Sequence, residues 1–181
     1  MRVMILNGNP EPSSFDDRVG ALAGALRERG CEVGVEVLRE RDVRLCVGCW
    51  SCWWKTPGLC VHRDAMDDIL PKMVESDLVV WASPLVMGAV SYLLKAAQDR
   101  FIPLAHPYIE IYKGECHHRY RYASNADVGL YVEAGPDDGP EDIALAREFF
   151  ERFTLNTQTR LRFAATTGRP VGEVCDEALV R

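Results

Sequence analysis

The sequence predicts an α/β fold: a doubly wound sheet of five parallel strands in the order 2-1-3-4-5, with helices on both faces. Three observations carry that expectation. The chain opens on a short apolar run, VMILN, that ends at GNP and is followed by apolar residues at helical spacing. LVVWA, residues 78–82, is a continuous apolar run of the kind strands show when both faces are covered. Strand and helix patterns then alternate to about residue 165, at spacings that suit right-handed crossovers.

VMILN is the first strand. Val19, Leu22, Ala23 and Leu26 form the apolar face of the first helix, Ser14 and Asp17 are spaced as a capping box, and Gly30 suits the C-terminal cap. Val33, Val35 and Val37 alternate as a second strand, after which a cysteine-rich segment at 46–60 interrupts the pattern. Met66, Ile69, Leu70 and Met73 return to helical spacing behind acidic residues from Asp64 to Asp68, and Pro71 makes that helix start late or kink. LVVWA follows as the third strand, then a helix with Val90, Leu93, Leu94, Ala97 and Phe101 on one face. Residues 103–126 have no clear period and read as an inserted excursion rich in Tyr, His and Arg. Val128, Leu130 and Val132 give the fourth strand. Pro140 opens a helix carrying Ala146, Phe149, Phe150 and Phe153, and Leu161, Phe163 and Ala165 give the fifth strand.

At 181 residues, 48% of them hydrophobic, the chain is expected to form one domain over residues 1–181. Its formal net charge of -6 and scattered arginines argue against a nucleic-acid partner. No stretch approaches the ~18 apolar residues that a membrane span needs, so a cytoplasmic protein is expected. In a reducing compartment, a tight cysteine cluster points to metal or redox chemistry before disulfides.

In a sheet of this order, ligands bind beyond the carboxyl ends of the strands, where the order reverses. Three loops meet there: NGNPEPSSFDD, SPLVMGAVS and EAGPDD. The first has neither the GxGxxG of dinucleotide folds nor a P-loop lysine. Its backbone N–H groups at a helix start, with Asn9, Ser13 and Ser14, suit a mononucleotide phosphate, and an ordinary capped turn would use the same residue types. The cysteines Cys46, Cys49, Cys52 and Cys60 are spaced C-x2-C-x2-C-x7-C. Successive x2 steps suit an iron-sulfur cube better than zinc, which usually takes two C-x2-C pairs a dozen or more residues apart, and free thiols remain a third reading. Gly48 and Gly58 permit tight turns, while Trp50, Trp53 and Trp54 would restrict water around the sulfurs or serve a subunit contact. Cys31, Cys175, His62 and His106 read as packing or surface residues, and Cys116, His117 and His118 as a polar loop or a cover over the ligand.

LNGNP with SSFD, SPLVMGAVSYLLKAAQDR and CVGCWSCWWKTPGLCVHRDAMDDI together resemble the NADPH-dependent FMN reductase and iron-sulfur flavoprotein group of the flavodoxin-like superfamily, over most of residues 1–104. The resemblance implies an FMN-dependent oxidoreductase with a possible 4Fe-4S cluster, NAD(P)H as co-substrate, a small-molecule or protein electron donor and acceptor, and a homodimer or homotetramer. Gly8, Asn9 and Pro10 match the family's first loop, whereas Ser14, Phe15 and Asp16 are closer to the S-F-N of related quinone reductases. Asp16 departs from both, because a carboxylate beside a flavin phosphate repels it unless it turns away or caps the helix. In the second loop Ser83, Pro84, Gly88, Ser91, Leu94, Lys95, Asp99 and Arg100 match, while Val86 and Met87 replace bulkier or aromatic residues. The segment Ser83, Pro84, Leu85, Val86, Met87 and Gly88 would then flank the isoalloxazine ring. Glu133, Ala134 and Gly135 are placed beside it by fold position. The resemblance also implies that relatives can keep these cysteines without a cluster. An alternative from another class is a metal-binding module with no flavin.

Overall fold

The computed structural model describes residues 1–180. In chain order it forms β1 (Arg2–Asn7), α1 (Ser14–Glu28), β2 (Glu32–Val37), α2 (Ser51–Trp54), α3 (Met66–Glu75), β3 (Leu78–Val86), β4 (Ala89–Val90), α4 (Tyr92–Asp99), β5 (Ala105–Tyr112), β6 (Glu115–Tyr120), β7 (Asp127–Glu133), α5 (Pro140–Thr157), β8 (Leu161–Thr166) and α6 (Val171–Leu179). The parallel strands run β2-β1-β3-β7-β8, which is the expected order, and β4 folds back antiparallel on the end of β3.

The apolar run in β3 has a physical reason. Leu78, Val80 and Ala82 enter one core with Phe15, Leu22, Leu26, Tyr131 and Val174, under α1 and α6. Val79 and Trp81 enter the other, with Met66, Ile69, Leu94 and Phe150, under α3, α4 and α5. A strand with both faces covered has no polar face to show, so the period-2 signal disappears from its sequence.

Three expectations change. The capping box of α1 lies one residue earlier, with Ser13 as N-cap and Asp16 reaching back to its N–H. The excursion at 103–126 contains a β-hairpin, β5–β6, turned by Lys113 and Gly114, both at positive φ as a tight hairpin turn requires. Arg152 on α5 grips Glu115 with two bonds of 2.9 and 2.5 Å, and His117 meets Asn156 at 3.0 Å, so the hairpin is docked on α5. Beyond β8 a further helix, α6, packs Val174, Cys175 and Ala178 against α1, which makes Cys175 a packing residue. Pro71 sits inside α3, and its missing N–H leaves the Asp67 carbonyl without its intrahelical partner. Among the described residues no helix is long and apolar enough to cross a membrane.

Candidate functional site

The loop after β1 is organised by one carboxylate. Asp16 accepts hydrogen bonds from Asn7 Nδ2 at 2.6 Å, Asn9 Nδ2 at 3.0 Å, the Ser13 N–H at 3.0 Å and Arg39 Nη1 at 2.8 Å. Burial pushes its carboxyl up, but Arg39, the Ser13 N–H and Asn7 outweigh burial and hold it below the ordinary carboxylate range. Asp16 is therefore an ionised cap whose charge is matched by Arg39 from the end of β2. Asn9 is buried and donates to Ser13 Oγ, which also accepts from the Phe15 N–H. The Phe15 ring lies in the core stacked on Tyr131, 6.3 Å between centroids, so only its backbone faces the loop. Ser14 begins α1 beside the cap.

The loop after β3 closes on this one. Ser91 caps α4 by accepting from the Leu94 N–H, and its hydroxyl donates to the Gly8 carbonyl. Gly8 has to be glycine, because a Cβ there would stand 2.6 Å from the Leu94 Cβ. Ser83 Oγ accepts from the Ser91 N–H at 2.9 Å, which pins the base of the β3–β4 turn. Leu85 pairs with Val90 and Val86 with Ala89, leaving Met87 and Gly88 as the two turn residues at φ 53 and 73. For Met87 this left-handed backbone costs about 1–2 kcal/mol, yet its side chain is 98% exposed and Val86 is 52% exposed. Gly88 N–H donates to Asp138, whose other oxygen accepts from the Gly135 N–H at 2.7 Å, so the third loop is tied to the turn. Glu133 and Ala134 lie at the end of β7 beside this tie, with Glu133 paired in register with Pro84. A strained turn that presents two apolar side chains to solvent, beside a loop of polar donors, is suited to a flat aromatic ring with an anionic tail. At the first loop the Asp16 charge is already compensated by Arg39.

The cysteine loop engages the other end of α4. Gly48 and Gly58 take φ 64 and 86, and Trp50 takes φ 58 as the N-cap of α2. Cys52 is buried, while Cys46 and Cys49 are exposed and Cys60 is half-buried. Burial first, then the neighbouring Cys60, Cys46 and Cys49 sulfurs, push the Cys52 thiol up. Hydrogen bonds from the Ser51 hydroxyl and N–H lower the Cys49 thiol. Among the described residues no three Cys, His, Asp or Glu side chains converge on a single ion. Tetrahedral zinc with bonds of about 2.3 Å needs its thiolates about 3.8 Å apart. A cube, in which each sulfur binds a different iron, needs them farther apart. Cys60, Cys46 and Cys49 lie near enough to Cys52 for their charges to act on its thiol.

Trp53 fixes the loop in place. Its Nε1 donates to the Ile102 carbonyl at 3.2 Å, and its ring packs on Trp50 and on His118 of the hairpin, both at 4.6 Å. Through His118 the hairpin packs on the cysteine loop. Ser91 and Arg100 bound α4, so the two sites contact ends of a helix about 12 Å long. Between α4 and α5 a cavity of about 450 Å³ is lined by Cys46, Gly48, Gln98, Phe149 and Phe153. It meets a second of about 320 Å³, lined by Gly88, Val90 and Phe150, at Lys95 and Phe149.

The pairings of Arg39 with Asp16 and of Arg100 with Asp64 are ones the sequence did not indicate. Arg39 belongs to no motif, and Arg100 carries a motif match with no indication of what it touches.

The strand order, with three loops meeting at the carboxyl edge, defines a flavodoxin-like protein. The model of the family described as NADPH-dependent FMN reductase matches residues 1–119, and the chain belongs to that family. An iron-sulfur flavoprotein of Methanocaldococcus jannaschii is 35% identical over 105 residues, 58% of this chain and 53% of its own. A second from the same organism is 26% identical over 157 residues, 86% of this chain and 72% of its own. The chain thus spans about half the length of the first of these curated relatives. Among solved structures, the NAD(P)H:quinone oxidoreductase of Methanothermobacter marburgensis superposes with a TM-score of 0.66 at 18% identity, over 98% of this chain and 92% of that one. An FMN-dependent NADH-azoreductase of Bacillus anthracis, in complex with FMN, gives 0.63 at 15% identity over 98% and 94%. These likenesses establish the fold.

Proposed function

We propose that this chain is a flavin-dependent oxidoreductase of the iron-sulfur flavoprotein type, holding FMN at the carboxyl edge of the sheet and a four-iron cluster in the cysteine loop. The observation that carries the reading is the β3–β4 turn, which offers an exposed apolar platform, in a chain whose cysteines run C-x2-C-x2-C-x7-C with Cys52 buried. When bound, FMN supplies hydride or single-electron chemistry, and a cluster supplies single-electron exchange. This chain's residues set the rest. Val86, Met87 and Gly88 seat the ring, Asn9, Ser13, Ser14 and the Phe15 backbone face the phosphate, and Glu133, Ala134 and Gly135 close the far side.

NAD(P)H is the proposed electron source, and a quinone, free flavin or electron-transfer protein the acceptor. Because the two sites engage opposite ends of α4, a second copy of the chain is the proposed route by which cluster and flavin approach. Trp54, 70% exposed, and the exposed Leu45 and Val47 on the cysteine loop suit such a contact.

Anaerobic purification followed by absorption spectroscopy and metal analysis tests the reading. Flavin bands over a broad sulfur-to-iron background support it. Flavin without iron identifies a flavin-only reductase, and zinc without flavin a metal-binding module. Oxygen-free protein that is colourless and does not take up FMN at micromolar concentration ends the proposal. Cys52→Ser is expected to reduce iron content to less than about half of wild type while flavin stays bound, because only the cluster loses a ligand. Loss of both together would assign Cys52 a shared structural role instead.

A further inference from the structure

Residues 133–142, EAGPDDGPED, carry five carboxylates and no Lys, Arg or His. Asp138 closes this loop on itself: its N–H donates to the Gly135 carbonyl at 3.2 Å, and its Oδ2 accepts from the Gly135 N–H at 2.7 Å. Its other oxygen, Oδ1, accepts from the Gly88 N–H at 3.2 Å, 50 residues away in the chain. Gly88 has to be glycine there, with φ 73 and a Cβ position that would stand 2.7 Å from the Asp142 Oδ1. Asp142 is fixed at the start of α5, where its Oδ2 accepts from the Gly139 N–H at 2.8 Å. One carboxylate therefore holds the turn residue and a second closes it in. Lys95, the cation that borders the same cavity as Gly88, is already paired with Asp99.

We propose that Asp138 is a positioning residue for the flavin ring: its carboxylate clamps the β3–β4 turn, which presents Val86 and Met87, to the loop after β7, and fixes a negative charge against that turn. This rests on the flavin reading above and is independent of the cysteines. A turn held only by the Leu85–Val90 and Val86–Ala89 pairs is weakly fixed. Hydrogen bonds to a charged acceptor are stronger than neutral ones, so the clamp orders the seat before the ring arrives. The charge acts on the reduced state. Uptake of two electrons and one proton leaves the ring with one negative charge, which a fixed carboxylate opposes, so the midpoint falls and the reduced flavin becomes a stronger donor.

The test compares wild type, Asp138→Ala and Asp138→Asn, with thermal melts verifying that all three fold. Hydrogen exchange of the apoprotein, read by NMR at the Gly88 and Gly135 amides, is expected to quicken about tenfold or more in Asp138→Ala, because each amide loses a charged acceptor. Riboflavin and FMN are each expected to bind this variant about tenfold more weakly, since the clamp serves the ring they share. Asp138→Asn keeps one acceptor oxygen and is expected to fall between. Both variants lose the charge, so in both the reduced-to-oxidised ratio of bound flavin at a fixed potential is expected to rise about tenfold, equivalent to a midpoint about 30 mV higher for a two-electron couple. Unchanged exchange in Asp138→Ala overturns the clamp, with or without flavin. Faster exchange with an unchanged midpoint in both variants overturns the positioning role and leaves Asp138 a structural tie. Wild-type protein that takes up neither flavin removes the flavin reading, and this inference with it.

Discussion

Arg39→Ala weakens FMN binding by about tenfold or more and leaves riboflavin affinity within a factor of about two. The expectation follows from charge. In the wild-type loop the Asp16 carboxylate and the Arg39 guanidinium lie 2.8 Å apart, so a phosphate approaching Asn9 and Ser13 meets a neutral pair. Without Arg39 it meets an ionised carboxylate. Two unit charges about 5 Å apart at an effective dielectric near 20 repel by about 3 kcal/mol, and solvent screening at this half-buried site reduces that toward the 1.4 kcal/mol of a tenfold change. Riboflavin has the same ring and no phosphate, so it isolates the electrostatic part. Fluorescence titration of apoprotein with both ligands reads the difference. Equal losses for the two would mean that Arg39 supports the shape of the loop, and no loss for either would place the phosphate elsewhere.

Asp64→Ala is the most damaging stability change expected from a single substitution. The Asp64 and Arg100 side chains are 0% and 1% exposed, so removing the carboxylate strands a buried cation. Breaking such a pair costs about 3–5 kcal/mol, which for a chain of this length lowers the melting temperature by about 10 °C. Asp64→Asn/Arg100→Met is expected to recover most of the loss, because the desolvation penalty leaves with the charges. Thermal melts by circular dichroism decide this. A single variant that melts with wild type would show that water or backbone groups already satisfy Arg100.

The strands and the larger helices were legible because their signals are local. LVVWA is apolar on both faces, and α4 carries Leu94 and Ala97 on the face that meets the core. The hairpin was not legible. Its inner face meets a helix and the cysteine loop, while Tyr108, Ile109 and Ile111 are exposed, so apolar and polar residues do not alternate as they do on a core strand. The spacing of Val171, Val174, Cys175 and Ala178 does carry α6, but over nine residues that pass easily for a tail. At the site, the cysteine spacing and the loop residues were local and readable. The partners of Asp16 and Arg100 were not, since Arg39 is 23 residues from Asp16 and Asp64 is 36 from Arg100. An ion pair formed across elements leaves no periodic trace in one sequence.

The indoles have an optical consequence. Of the four tryptophans in the chain, Trp50, Trp53 and Trp54 crowd the thiol loop, and Trp81 sits apart against Phe150 and Phe153. Ultraviolet emission from this molecule is therefore mostly a broadcast from the loop, with the core supplying a steady blue-shifted remainder. An iron-sulfur chromophore held by that loop would drain that broadcast by energy transfer, and the brightness of the sample would report assembly in real time.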